Sequence, residues 1–174
     1  NDKNSDDSDD EMVVDRIDMY LLCLSTGNAN GLGQERVCEL ERSCRLLGIL
    51  KNNGSEKALV ISSVEQMRRK NEKNGENGEN AKNRSDNEEN GEENESDGDR
   101  RLIVVDHEEM QDGMDRQWDR GVISQFVCRF VTVNDIDTVL TFDSMGVSHH
   151  VNHVATHEGV KLAYEMLKTG KSLK

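Results

Sequence analysis

Tyr20-Leu21-Leu22-Cys23-Leu24-Ser25-Thr26-Gly27-Asn28-Ala29-Asn30-Gly31-Leu32-Gly33 joins an apolar run to a polar, glycine-rich loop. Its first five residues form a continuous apolar run of strand length. Such a run suits a strand covered on both faces, as in a parallel sheet. The run ends in a loop rich in Gly, Ser and Asn at the strand's carboxyl end. From Gln34 to Leu47 the apolar positions are Val37, Leu40, Cys44 and Leu47. They make one stripe at a period of about 3.6, so a helix is expected there. Gly48 follows in the place of a C′ residue.

Working outward, Ala58-Leu59-Val60-Ile61 is a short strand candidate and Leu102-Ile103-Val104-Val105 a longer one. The second runs into the loop Asp106–Gly113. A further amphipathic helix is expected with Trp118, Val122, Ile123, Phe126, Val127 and Phe130 on one side. Ile136–Phe142 reads as another strand, Asp143–Asn152 as a loop, and about His153–Lys168 as a last helix striped by Val160, Ala163, Tyr164 and Leu167. Strands alternating with helices are the α/β signature, with a parallel sheet and right-handed crossovers. In such sheets sites form outside the carboxyl ends of the strands. Three loops are therefore of interest: 25–33, 106–113 and 143–152.

Charge separates the folded part from the rest. The 174 residues carry a formal net charge of −13. Residues 1–11 hold six acids against one lysine, and residues 71–99 hold eleven acids against three bases. The remainder balances at 18 acids and 18 bases, which excludes a global basic field for nucleic acid. Residues 1–11 are expected to be an acidic disordered tail and 71–99 a low-complexity disordered insert, since Ala81 is the insert's only apolar residue. Residues 12–70 and 100–174 are then one α/β domain. No apolar run reaches the roughly 18 residues of a membrane span. Asn1-Asp2-Lys3-Asn4 starts no apolar h-region, so no signal peptide is expected. Cys23, Cys38, Cys44 and Cys128 include no CxxC pair and are read as reduced thiols.

The third loop carries the most chemistry. Gly146-Val147-Ser148-His149-His150-Val151-Asn152-His153 places three imidazoles within five residues at a helix start. His150 and His153 are three apart, so one turn can aim both at one point. Imidazole is a zinc ligand, and a catalytic zinc takes three protein ligands and a water. The same residues also suit a polar helix start, with Asn152 as its cap. Ser25-Thr26-Gly27-Asn28 could hold an oxyanion through backbone amides or serve turn geometry alone. Arg36 points the same way from the next helix. The second loop adds Asp106, His107 and Asp112.

In order, these stretches resemble the PIG-L (LmbE-like) family of zinc-dependent de-N-acetylases. The likeness runs through Tyr20–Asn28, Gly33-x-x-Arg36-x-x-Glu39-Leu40, Leu47-Gly48-Ile49, Val105-Asp106-His107, Gln111-Asp112-Gly113-Met114, Trp118-Asp119, Thr141-Phe142-Asp143, Gly146-Val147-Ser148 and His150-x-Asn152-His153. It covers roughly residues 20–50 and 102–168. It implies a Rossmann-like parallel sheet with flanking helices, a zinc cofactor and amide hydrolysis. For the eukaryotic branch it implies the glycolipid N-acetylglucosaminyl-phosphatidylinositol as substrate, a step of GPI-anchor biosynthesis, and a place on the cytosolic face of the endoplasmic reticulum membrane. By the same resemblance His153 binds zinc, His150 polarises the acetyl carbonyl or stabilises its oxyanion, and Arg36 and Asp112 contact the sugar.

The family's remaining residues lie in a His-Pro-Asp-Asp-Glu motif. Its nearest counterpart is Asp7-Ser8-Asp9-Asp10-Glu11, with Asp in place of His and Ser in place of Pro. By that match Asp9 is the general base and Asp10 a metal ligand, joined by Asp7. The eight residues Met12–Met19 cannot supply the helix that follows this motif in the family. The family's first strand and first helix are therefore expected to be missing or replaced. His149 also stands where the family has Gly. Two readings of the acidic run stay open: a degenerate base and ligand, or a low-complexity tail. The expected function is zinc-dependent de-N-acetylation. The alternative is an inactive, truncated member that binds a partner or lipid headgroup.

Overall fold

The computed structural model describes residues 17–67 and 101–170. The tail at 1–11, with Asp7, Asp9 and Asp10, and the insert at 71–99 lie outside the described residues. Among the described residues three strands, β1 (Leu21–Cys23), β2 (Leu59–Ile61) and β3 (Leu102–Val105), form one parallel sheet in the order β1-β3-β2. Leu22 pairs with Ile103, and Val60 with Val104. The helices are α1 (Gly33–Leu46), α2 (Arg120–Asn134), the irregular turn α3 (Gly146–His149) and α4 (Val151–Thr169). The α/β class expected from the alternating pattern is the class observed.

β3 lies between the other two strands and is buried on both faces, each of its side chains at most 1% exposed. Burial of such a side chain contributes roughly 1.5–3 kcal/mol. Leu102 and Val104 face α1, where Val37, Cys44, Ile49 and Leu50 complete one core. Ile103 and Val105 face the opposite side, against Ile123, Phe126, Val127 and Phe130 of α2 and Ala163 of α4. The period of 2 in β3 thus sorts its four apolar residues between two layers of helix.

Three expectations change in detail. Ile136–Phe142 joins no ladder. The Ile136 N–H is taken by the Val131 carbonyl at 3.0 Å, and the Phe142 carbonyl is held by His157 Nδ1 at 2.9 Å. Across from this stretch lies the edge of β1 that pairs with no strand among the described residues, with a cavity of about 610 Å³ between Leu21–Leu24 and Leu140–Phe142. Paired strands stand only about 4.8 Å apart, so the cavity leaves no ladder to form. Trp118 lies before α2 rather than on it, because Asp119 caps that helix through the N–H groups of Gly121 and Val122. The last helix begins at Val151, and its cap is His150, not Asn152.

α2 and α4 pack against one another over the sheet. Their close approach depends on Gly159, where an added Cβ would overlap the Cβ and Cγ2 of Ile123. Overpacking of this kind typically costs about 1–3 kcal/mol. Gly159→Ala should therefore lower unfolding free energy by roughly that amount, despite alanine's better helix propensity. Urea denaturation of the two proteins checks it, and an equally or more stable variant would contradict the packing.

Candidate active site

The cavity beside β1 gathers side chains from four places in the chain. Ser25 comes from the end of β1, Asp112 from the loop after β3, Phe142 from the extended stretch, and His150, Asn152 and His153 from the start of α4. Its walls are largely apolar, with Leu22, Leu40, Trp118 and Leu140 among them. A few polar groups in an apolar hollow are the ordinary form of a small-molecule site.

Two backbone contacts settle where the protons of the histidine pair lie. The Asn152 N–H donates to His150 Nδ1 at 3.3 Å, so that nitrogen is an acceptor. The neutral His150 ring then carries its proton on Nε2 and can donate it. His153 is the reverse. Its Nδ1 lies 3.1 Å from the Gly146 carbonyl oxygen, which can only accept. In the neutral ring this contact places the proton on Nδ1 and leaves Nε2 with a lone pair. The two rings are 4.9 Å apart. The site thus sets a hydrogen-bond donor beside a base or ligand.

His153 is held on a second side by the Phe142 ring, stacked with centroids 4.2 Å apart. Phe142 is itself anchored through its carbonyl by His157 Nδ1. Gly146 has φ +57°, and a Cβ there would come within 2.8 Å of the His153 Cβ and the Val154 nitrogen. No other residue allows both the turn and this approach. Asp143 accepts the N–H groups of Met145 and Val147 on one carboxylate oxygen, both at 3.0 Å. The Val147 N–H foremost, with those of Met145 and Gly146, holds the Asp143 carboxyl below its ordinary range.

Asp112 receives the Ser25 hydroxyl on Oδ1 at 2.9 Å. Its Oδ2 and the Oδ1 of Asn152 are buried without a hydrogen-bond partner among the described residues. Buried acceptors left unpaired cost about 1–3 kcal/mol each, so both call for a donor. Trp118 Nε1 donates to the Gln111 carbonyl at 3.0 Å and so fixes the loop that carries Asp112.

Of the residues singled out from sequence, the structure brings His150, His153 and Asp112 into one cavity. Arg36 faces an adjoining cleft of about 180 Å³ that shares Cys23, Ser25 and Leu40 with it. Its guanidinium pairs with Glu39 at 2.8 Å on the exposed face of α1. His149 and His107 do not line the cavity. Asp7, Asp9 and Asp10 lie outside the described residues. Among the described residues no group of three or more His, Cys, Asp and Glu side chains gathers as a metal cluster. Sequence reasoning passed over Asn152 as a site residue and Phe142 and His157 as supports.

With this geometry in view, the chain can be set beside known proteins. It is 26% identical over 141 residues to the probable N-acetylglucosaminyl-phosphatidylinositol de-N-acetylase of Schizosaccharomyces pombe, covering 81% of this chain and 38% of that protein. It is 28% identical over 144 residues to the N-acetylglucosaminyl-phosphatidylinositol de-N-acetylase of Saccharomyces cerevisiae, covering 81% of this chain and 31% of the relative. The bovine protein of the same name is 25% identical over 146 residues, or 84% of this chain and 39% of its own length. The chain thus spans between 31% and 39% of the length of these curated relatives. No family model matches the chain, and no solved structure does. Among the described residues no helix is long and apolar enough to cross a membrane.

The four cysteines are free thiols. Burial pushes the Cys23 thiol up from its ordinary value, a shift that its hydrogen bond to the Ser25 carbonyl only partly offsets. A raised pKa leaves less thiolate at any given pH, and the thiolate is the reactive form. Cys38 is exposed on α1. Mass-spectrometric timing of alkylation at neutral pH should find Cys38 modified well before Cys23. Equal or faster labelling of Cys23 would show that the cavity wall is open.

Proposed function

We propose that the chain is part of a PIG-L (LmbE-like) de-N-acetylase that hydrolyses the N-acetyl group of N-acetylglucosaminyl-phosphatidylinositol with the help of zinc. The observation that carries this reading is the pair of backbone contacts, an N–H on His150 Nδ1 and a carbonyl on His153 Nδ1, made by two histidines of one apolar cavity. Amide hydrolysis needs a donor for the oxygen that becomes an anion and a held nucleophile beside it. The names of the relatives supply the substrate class.

Of the described residues, His153 suits a zinc ion in kind. His153 offers Nε2, and its other nitrogen is bonded to a backbone carbonyl, the usual orienting arrangement for a zinc-bound imidazole. In this reading Asp10 and Asp7 complete the ligand set. A bound zinc supplies Lewis acidity and an acidified water, with a pKa of about 7.

The chain's own groups do the rest. Asp112 and Asn152 present buried acceptors that take donors from the sugar, and Asp112 is pre-oriented by Ser25. The ring of Phe142 and the leucine side chains give the cavity an apolar wall. Asp9 takes the proton of the attacking water. His150 Nε2–H donates to the carbonyl oxygen as its charge develops, which is where a preorganised donor acts most strongly. Because Nδ1 of His150 is occupied by the helix N-terminus, the donor cannot turn away without uncapping α4. In this reading Arg36, in the first turn of α1, meets the sugar from the adjoining cleft.

The test measures zinc per chain and acetate release from N-acetylglucosaminyl-phosphatidylinositol. The protein should bind zinc near stoichiometrically, and His153→Ala should lose it. His150→Ala should keep the metal and lose about 10²–10³ in turnover, the range for removing one oxyanion donor. Zinc content no higher than in His153→Ala, with no acetate released, would overturn the reading.

A further inference from the structure

The turn that carries the Gly146 carbonyl is closed by the His149 N–H donating to the Met145 carbonyl at 2.8 Å, which leaves the Val147 N–H to be met from outside it. Val147 has φ 62° and ψ −53°, and His149 has φ 62°. Positive φ is a genuine outlier for a β-branched residue and persists only where surroundings impose it. Asp143 supplies that imposition. Its Oδ1 takes the N–H groups of Met145 and Val147, and its own carbonyl takes the Gly146 N–H at 3.0 Å. The residue in between, Gly146, then directs its carbonyl onto His153 Nδ1.

We propose that Asp143 is a positioning residue, which fixes the proton of His153 on Nδ1 through the strained Gly146–His149 turn. Asp143 is exposed and does not line the cavity, so it acts without touching a ligand. The chain of contacts is short: carboxylate to Val147 N–H, turn to Gly146 carbonyl, carbonyl to imidazole. Without the carboxylate, Val147 relaxes to negative φ and the Gly146 carbonyl swings off the ring. His153 is then free to exchange tautomers. The proposal gains its functional consequence from the hydrolase reading, since a wandering proton blocks the Nε2 lone pair for part of the time.

Nitrogen NMR of the histidine side chains tests it in the full chain, above the histidine titration range. Wild-type His153 should show protonated Nδ1 and bare Nε2. Asp143→Asn keeps an acceptor oxygen and should preserve that signature. Asp143→Ala should give averaged nitrogen shifts at His153 with His150 unchanged. Asp143→Glu keeps the charge but displaces the oxygen, and should do the same, so it decides the matter if the alanine variant fails to fold. Zinc titration of the two disrupted variants should show affinity lower by about 10–100-fold, the usual effect of losing an outer-shell partner. A folded Ala or Glu variant with wild-type His153 shifts would overturn the proposal, as would a bare Nδ1 in the wild type. Zinc uptake by the wild type is scored separately, so failure of the hydrolase reading is told apart from failure of the relay.

Discussion

β3 has no solvent face, and the rest of the structure follows from that. A strand paired in parallel on both edges and covered by helices on both sides must be apolar at every position. Leu102-Ile103-Val104-Val105 meets the demand, sending alternate side chains to the α1 layer and to the α2–α4 layer. Once β3 is central, the end of β1 and the loop after β3 lie side by side. That is how Ser25 and Asp112, 87 positions apart, come to share a hydrogen bond. The same sheet edge supplies one wall of the cavity, and α4, packed on α2, brings the histidines to the other.

The chemistry of the site rests on backbone groups more than on other side chains. One imidazole caps a helix, and the other leans on a carbonyl. A helix N-terminus offers only N–H groups, so a capping imidazole is forced to accept. A carbonyl offers only lone pairs, so its imidazole partner is forced to donate. Identical residues three positions apart thereby acquire opposite roles. Local strain at Val147 and the absent Cβ at Gly146 belong to the same device, since both serve to present that carbonyl.

Much of this was legible in the sequence where the signal is local. The apolar runs at 21–23 and 102–105 are strands because they cannot be anything wet. The stripe from Val37 to Cys44 is a helix face for the same reason. Ile136–Phe142 has an equally good strand composition, yet pairing depends on a neighbour within hydrogen-bond reach, which composition does not report. The cap of α4 was misplaced by two residues, because Asn is the stronger cap by propensity while here its side chain is turned inward and buried. His150, His153 and Asp112 could be named from motif order, but the tautomers could not. They depend on which backbone group each ring meets, and that is a property of the folded turn.

X-ray absorption at the zinc edge of the metal-loaded protein addresses the proposed role of His153 as a zinc ligand. Imidazole scattering is expected with a Zn–N distance of about 2.0–2.1 Å, weakened in His153→Ala. A first shell of oxygen alone, unchanged by that substitution, would contradict it.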